Sequence, residues 1–439
     1  MTINSFDNLP PLTKEEALEI LSMKIEDLEL SSDYYKATFH LLKFPGSDTE
    51  QALLSLIHSK NNEQPVKIAR RKAVEVLARL NCRDAIPTIG KCLGSDDPYL
   101  VENAAWALQK LQCNNYKLHE KIASLLADSR QNRRVLVQSL SRMGSPSYIP
   151  ALKALLSRKE LPIGVRGAAI AATLRLSKCS EHIEQLKLHL YLPNQNDRQC
   201  AIQDVIDSEL IDMLPSALKS PVAPSFRLNA INQMWPTDVN EVNGIGLITT
   251  LDSLINGHPD NLILPSNQNV TSSSKSLIEG LFHPDFAQAS LSLKILIDNS
   301  NPLDYGSIIF NQLERVKKDY GAIYFLMILF RSLQGWESDL IKNIEDLGFF
   351  CLDNRWPDFM KFRPVAILTL AKLCPTACLT SISDWLDQSI TPYWVSRYAA
   401  LMSIEMLSRT ELSDQFYQNV LDSCEDSHRF VRAKALTLL

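Results

Sequence analysis

Glycine is scarce in this chain, at 14 of 439 residues. A β-rich fold needs glycine at turns and bulges, and a disordered chain is poor in apolar residues. The scarcity, with 45% hydrophobic and 22% charged residues, therefore points to a helix-rich globular protein. There is no block of basic residues and the formal net charge is −5, so no phosphate-tracking surface, and no nucleic-acid partner, is expected. Long apolar runs are missing too. The most apolar segment, Ala322 to Phe330, falls far short of the roughly 20 residues that cross a bilayer. The N-terminus lacks the basic and apolar regions of a signal peptide, so a cytoplasmic protein without membrane insertion is expected. Nine cysteines are scattered without disulfide spacing, and Cys374 and Cys378, one helical turn apart, lack the two further ligands of a zinc site. Walker loop, dinucleotide fingerprint, HExxH and GxSxG are absent, and the eight histidines are dispersed. No resident metal or cofactor is expected.

What is present is a repeat. A charged residue followed three places later by a small apolar one occurs as Arg70/Ala73, Glu102/Ala105, Arg134/Val137, Arg166/Ala169 and Arg198/Ala201, at steps of 32 residues. That length fits two helices of about 12 residues and two turns, the unit of an α-solenoid. One such pair cannot bury its own apolar face, so pairs must stack. The expected fold is all-α, an α/α superhelix with a concave groove. In its clearest copy, Asp97 stands at the N-cap, Pro98 opens the helix and Val101, Ala104, Ala105 and Leu108 share one face. Arg363/Ala366, Arg397/Ala400 and Arg432/Ala435 repeat the signature later, and Gln288/Leu291 and Asp319/Ala322 are altered copies. Between Pro236 and Leu277 the register is lost among Gly244-Ile245-Gly246, His258-Pro259 and a serine- and asparagine-rich run. The expected organisation is repeats over 1–235, a loop-rich insertion over 236–276 and repeats over 277–439.

An arginine that recurs at one structural position usually serves a recurrent structural task, such as bonding an aspartate or the carbonyls of the preceding turn. Glu102 inverts the charge there and carries Trp106 one turn on, which suits either packing or a flat ligand. Tyr320, Tyr324, Met327 and Arg331 fall on one stripe with Asp319 at the helix start. A carboxylate with two phenols can bind N–H groups of a conjugated ligand or move a proton; equally, Asp319 caps the helix and the phenols pack. Trp235 follows Arg227, Trp356 precedes Arg363 and Trp394 precedes Arg397. An aromatic and cationic groove suits a flat, apolar molecule bearing carboxylates, and core packing explains some of these residues as well. His258 and His283, each before a proline, are either proton donors or exposed loop residues.

The run Asp97-Pro98-Tyr99-Leu100-Val101-Glu102-Asn103-Ala104-Ala105-Trp106-Ala107-Leu108 resembles the signature of the E/F-type phycobilin lyases, which are HEAT-repeat proteins. Ser220-Pro221-Val222-Ala223-Pro224-Ser225-Phe226-Arg227 and Trp356-Pro357-Asp358-Phe359-Met360-Lys361-Phe362-Arg363-Pro364 are similar to the single-chain members that act on phycoerythrin. The resemblance implies an enzyme whose substrate is a linear tetrapyrrole, phycoerythrobilin, and whose partner is an apo-phycoerythrin subunit, expected to be α. A cysteine thiol of that subunit adds to the ethylidene group of ring A, giving a thioether. Some members also isomerise the product to phycourobilin, and both lyase and lyase-isomerase fit this chain. On that reading Asp319, Tyr320 and Tyr324 are catalytic, pairing with pyrrole nitrogens and handling a proton. Arg227, Arg331, Arg363 and Arg397 hold propionates, while Trp106, Trp235, Trp356 and Trp394 cover the rings beside Glu102. The nucleophilic cysteine belongs to the acceptor. The competing reading is a non-catalytic scaffold or chaperone for phycobiliprotein subunits.

Overall fold

The computed structural model describes residues 11–178, 180–264, 273–298, 302–353, 360–407 and 416–439. They form an all-α repeat of helix pairs with one short hairpin, in two units, Met1–Leu186 and Lys187–Leu439. The sequence change at residue 236 therefore falls inside the second unit.

In the first unit Thr13 opens α1 (Lys14–Ser22) with a capping box: the Glu16 amide donates to the threonine hydroxyl at 3.2 Å, and the Thr13 amide donates to the Glu16 carboxylate at 2.7 Å. The helices α2 (Asp33–His40), α3 (Gln64–Arg79), α4 (Pro98–Lys110), α5 (Arg133–Met143) and α6 (Ile163–Ser177) then pack each on the next. Each repeat meets only its neighbours, as in a helical-repeat array. Alanine permits the close approach: Ala73, Ala104, Ala105 and Ala169 are fully buried between successive helices. Leucine at Ala105 would overpack this seam at a cost of about 1–3 kcal/mol. The start of α4 forms as its residues dictate. Asp97 accepts the Tyr99 amide at 3.1 Å, and Arg71 of α3 grips the same carboxylate with Nε at 2.7 Å and Nη2 at 3.0 Å while lying over the Tyr99 ring.

The second unit departs from a linear array. Its first helices are α7 (Gln195–Ser208) and α8 (Pro224–Met234), after which β1 (Glu241–Val242) and β2 (Ile245–Gly246) pair antiparallel. Asn243 and Gly244 carry positive φ, 50° and 76°, which matches the right-handed strand twist of a tight hairpin. Then α9 (Leu247–Asn256) packs on α8 and also on two helices far along the chain, α12 (Arg363–Leu373) and α13 (Trp394–Leu407). The segment read from sequence as a loop-rich insertion thus supplies a core helix. Asp252 of α9 accepts from the Tyr398 hydroxyl at 2.8 Å and from Lys434 at 2.9 Å, and Lys434 also reaches Glu405 at 2.6 Å. Lys434 belongs to α14 (Arg429–Leu436) and is 1% exposed, so this ion network is buried at its centre. Arg429 donates to the Asn232 and Trp235 carbonyls, closing the last helix onto α8. The remaining elements used below are α10 (Phe286–Asp298) and α11 (Tyr320–Ser332), which pack on one another, with α11 also on α12.

Candidate functional site

The signature arginines hold turns. Arg70 donates to the carbonyls of Ser59 and Asn61, Arg166 to those of Leu156 and Arg158, and Arg198 to those of Leu192, Pro193 and Pro221. The guanidinium satisfies carbonyls of the turn that leads into its own helix, and for Arg198 also one, Pro221, of the turn before the next helix. Glu102 keeps to the same ladder: its carboxylate accepts from Asn132, the N-cap of α5, at 2.6 Å. Trp106 is half-buried against the first unit's core.

The second unit contains an aromatic cleft of about 250 Å³. Its walls are Phe286, Tyr324, Phe325, Phe362 and Tyr393, with Leu254, Ile255, Pro224 and Pro364 between them, and among the described residues no aspartate or glutamate lines it. Phe286 meets the Tyr324 and Phe325 rings at 5.9 and 5.2 Å. Among the described residues the exposed Lys361 is the one cation in the wall. Helices α8, α11, α12 and α13 all begin at this cleft, so the positive ends of their dipoles surround it. Such a cavity suits a flat apolar molecule carrying negative charge.

Tyr324 is the sequence candidate that lines this cleft. It is 9% exposed and its hydroxyl is buried without a hydrogen-bond partner; burial pushes its pKa up to about 12, against the opposing pull of Arg227 and Arg331. Burial likewise holds both guanidinium pKa values down at about 10. Asp319 caps α11, accepting the Ala322 amide at 3.0 Å, and stands beside Gly321 at the cleft wall. The side chain of Tyr320, and Trp356 as a whole, lie outside the described residues. Arg363 is buried at the first position of α12.

Three nominated contacts are committed elsewhere. Arg397, 1% exposed, is held by Asp426 through bonds of 2.6 and 2.9 Å and by the Thr391 carbonyl at 2.7 Å, which leaves no face for a ligand carboxylate. Trp235, 3% exposed, donates its indole N–H to the Val239 carbonyl at 2.7 Å. Trp394 stacks on His428 at 4.2 Å with ring planes 3° apart and does not line the cleft. His258 and His283 are local caps, accepting the amides of Asp260 and Asp285. Sequence reasoning missed Phe286, Phe325, Phe362, Tyr393 and Lys361. The available signal was position, since Phe362 directly precedes Arg363 and Tyr393 stands one turn before Arg397.

Three buried thiols are poor nucleophiles. Burial pushes the thiols of Cys351 and Cys378 up to about 12 and that of Cys374 to about 11. Among the described residues no cluster of His, Cys, Asp and Glu is placed to hold a metal ion, and no helix is long and apolar enough to cross a membrane.

A family model described as HEAT repeats matches residues 50–128. The bilin biosynthesis protein CpeY of Synechococcus sp. (strain WH8020) is 34% identical over 405 residues, spanning 92% of this chain and 96% of that protein. The chain belongs to the E/F-type bilin lyase family. Another relative of this lyase-family chain, the uncharacterized phycocyanin operon protein Y of Pseudanabaena tenuis (strain PCC 7409), is 30% identical over 400 residues, or 90% of this chain and 92% of that one. Among solved structures, the complex of CpcE and CpcF of phycocyanin lyase from Nostoc sp. PCC7120 matches with TM-score 0.45 and 22% identity, covering 58% of this chain and 97% of that chain.

Proposed function

We propose that this family member is a phycobilin lyase that attaches phycoerythrobilin through a thioether to a cysteine of the phycoerythrin α subunit. The observation that carries the reading is the aromatic cleft, where five rings and a lysine meet the shape and charge of a linear tetrapyrrole with two propionates. Membership of the bilin lyase family supports the substrate class. The acceptor thiol adds to the ethylidene carbon of ring A and a proton returns to the ring, so the lyase orients two reactants and manages one proton. Phe286, Phe325, Phe362 and Tyr393 hold the rings. Asp319 uses one carboxylate oxygen as a cap and offers the other to pyrrole N–H groups. Tyr324 is the phenol inside the wall, protonated across the physiological range and therefore a donor. The same two residues are those to change if the product is phycourobilin, because isomerisation requires a proton to leave and return.

The test is co-production of the chain with phycoerythrobilin and apo-phycoerythrin α subunit, followed by visible absorbance of the denatured, purified subunit. A covalent phycoerythrobilin spectrum is expected, and a phycourobilin spectrum adds isomerase activity. A colourless subunit, with a β-subunit control also unmodified, would sink the lyase reading and leave a scaffold for phycobiliprotein subunits.

A further inference from the structure

Charges buried in proteins are normally paired, because desolvating an isolated ion is costly. The signature arginines Arg198 and Arg397 follow this rule, with Asp285 and Asp426 as counter-ions at 2.6 Å. Arg227 and Arg331 do not. They are 3% and 6% exposed, and among the described residues neither has a carboxylate partner. Arg227 donates to the Val222 carbonyl at 3.1 Å and to that of Leu218 at 3.4 Å, which uses two of its five N–H donors. Arg331 donates to the carbonyls of Asn256 and Val365. Both cations act on the Tyr324 hydroxyl, itself unpartnered and pressed against Gly257 at the end of α9.

Arg227 also lines a second cleft of about 550 Å³, with Lys219 and the hydroxyl residues Thr249, Thr250 and Ser253. Among the described residues the one carboxylate in that wall, Asp260, is already engaged by Lys294. Leu254 lines both this polar cleft and the aromatic one, so the two adjoin. We infer that the polar cleft is a carboxylate chamber: it takes an acidic side chain of the ligand whose rings lie in the aromatic cleft, and Arg227 supplies the missing half of an ion pair. The inference rests on the bilin reading and names the part of that substrate held here, a propionate.

The test compares purified protein titrated with phycoerythrobilin and with its dimethyl ester, read by visible absorbance, with transfer to the α subunit measured in parallel. The free acid is expected to bind about tenfold or more tightly than the ester. Arg227→Gln removes the fork but also two turn bonds, so it is paired with Ser253→Asp, which offers Arg227 a built-in counter-ion and leaves its bonds to the Val222 and Leu218 carbonyls in place. Ser253→Asp should retain the fold and the ester's affinity while losing the preference for the acid. Equal binding of acid and ester by the natural chain overturns the chamber even if transfer proceeds. Acid-selective binding that Ser253→Asp abolishes, without transfer to any subunit, keeps the chamber and overturns the lyase. Binding of neither ligand overturns both.

Discussion

At the scale of single residues, the second unit contrasts side chains whose polar groups are satisfied with others, Tyr324 among them, that hold a buried polar atom without a partner. The Tyr324 hydroxyl makes no bond among the described residues, so Tyr324→Phe deletes an oxygen that folding desolvated without return. Its melting temperature should equal or exceed that of the natural chain, with a gain on the order of 1 kcal/mol, whereas transfer should fall. Arg397 is the opposite case. Arg397→Met strands Asp426 in a buried site, and urea unfolding should show a loss of about 3 kcal/mol. Asp319→Asn separates cap from charge: asparagine caps a helix as well as aspartate, so folding should hold while transfer drops if the carboxylate meets pyrrole nitrogens. His428, stacked on Trp394, has its pKa lowered from 6.5 to about 4 chiefly by burial. The unfolded chain therefore takes up a proton that the folded one refuses. This contribution to stability is whole above pH 6.5 and is lost as pH falls through about 4. His428→Asn, which keeps a capping side chain for α14, should flatten that part of a pH-resolved denaturation series.

Among the elements, α9 decides how the second unit is built. Without it, α12 and α13 would pack only with neighbours in sequence; with it, Asp252 joins Tyr398 and Lys434 from two later helices. Asp252→Ala leaves Lys434 with Glu405 and Tyr398 with the more distant Ile248 carbonyl at 3.5 Å. Protection of α14 against hydrogen exchange should fall by about 2–3 kcal/mol, while that of α3 to α5 in the first unit stays unchanged. The cleft depends on the same arrangement. It is walled by the beginnings of α8, α11, α12 and α13 together with two residues of α9, so loosening α9 should weaken bilin binding without touching a ring-contacting residue.

For the whole molecule, net charge works against the proposed ligand. A chain of −5 repels a bilin carrying carboxylates at long range, so its attraction must be local and buried. Bilin affinity should then change by less than about twofold between low and physiological salt, as fluorescence titration can measure. The sequence by itself determined the all-α repeat, because a 32-residue spacing of arginine and small residues reports a contact that each repeat makes with the next. It also pointed to the work of those arginines, since most of the carbonyls they bind lie within 11 residues, in the preceding turn. The tract 97–108 made the family legible before any coordinate was known. Only the tertiary structure decided which aromatics face a cavity, which arginines lack a counter-ion, and which distant helices residues 247–256 pack against. Those facts depend on pairs far apart in the chain, Asp252 with Lys434 or Arg198 with Asp285, and no local pattern encodes which distant partner will arrive.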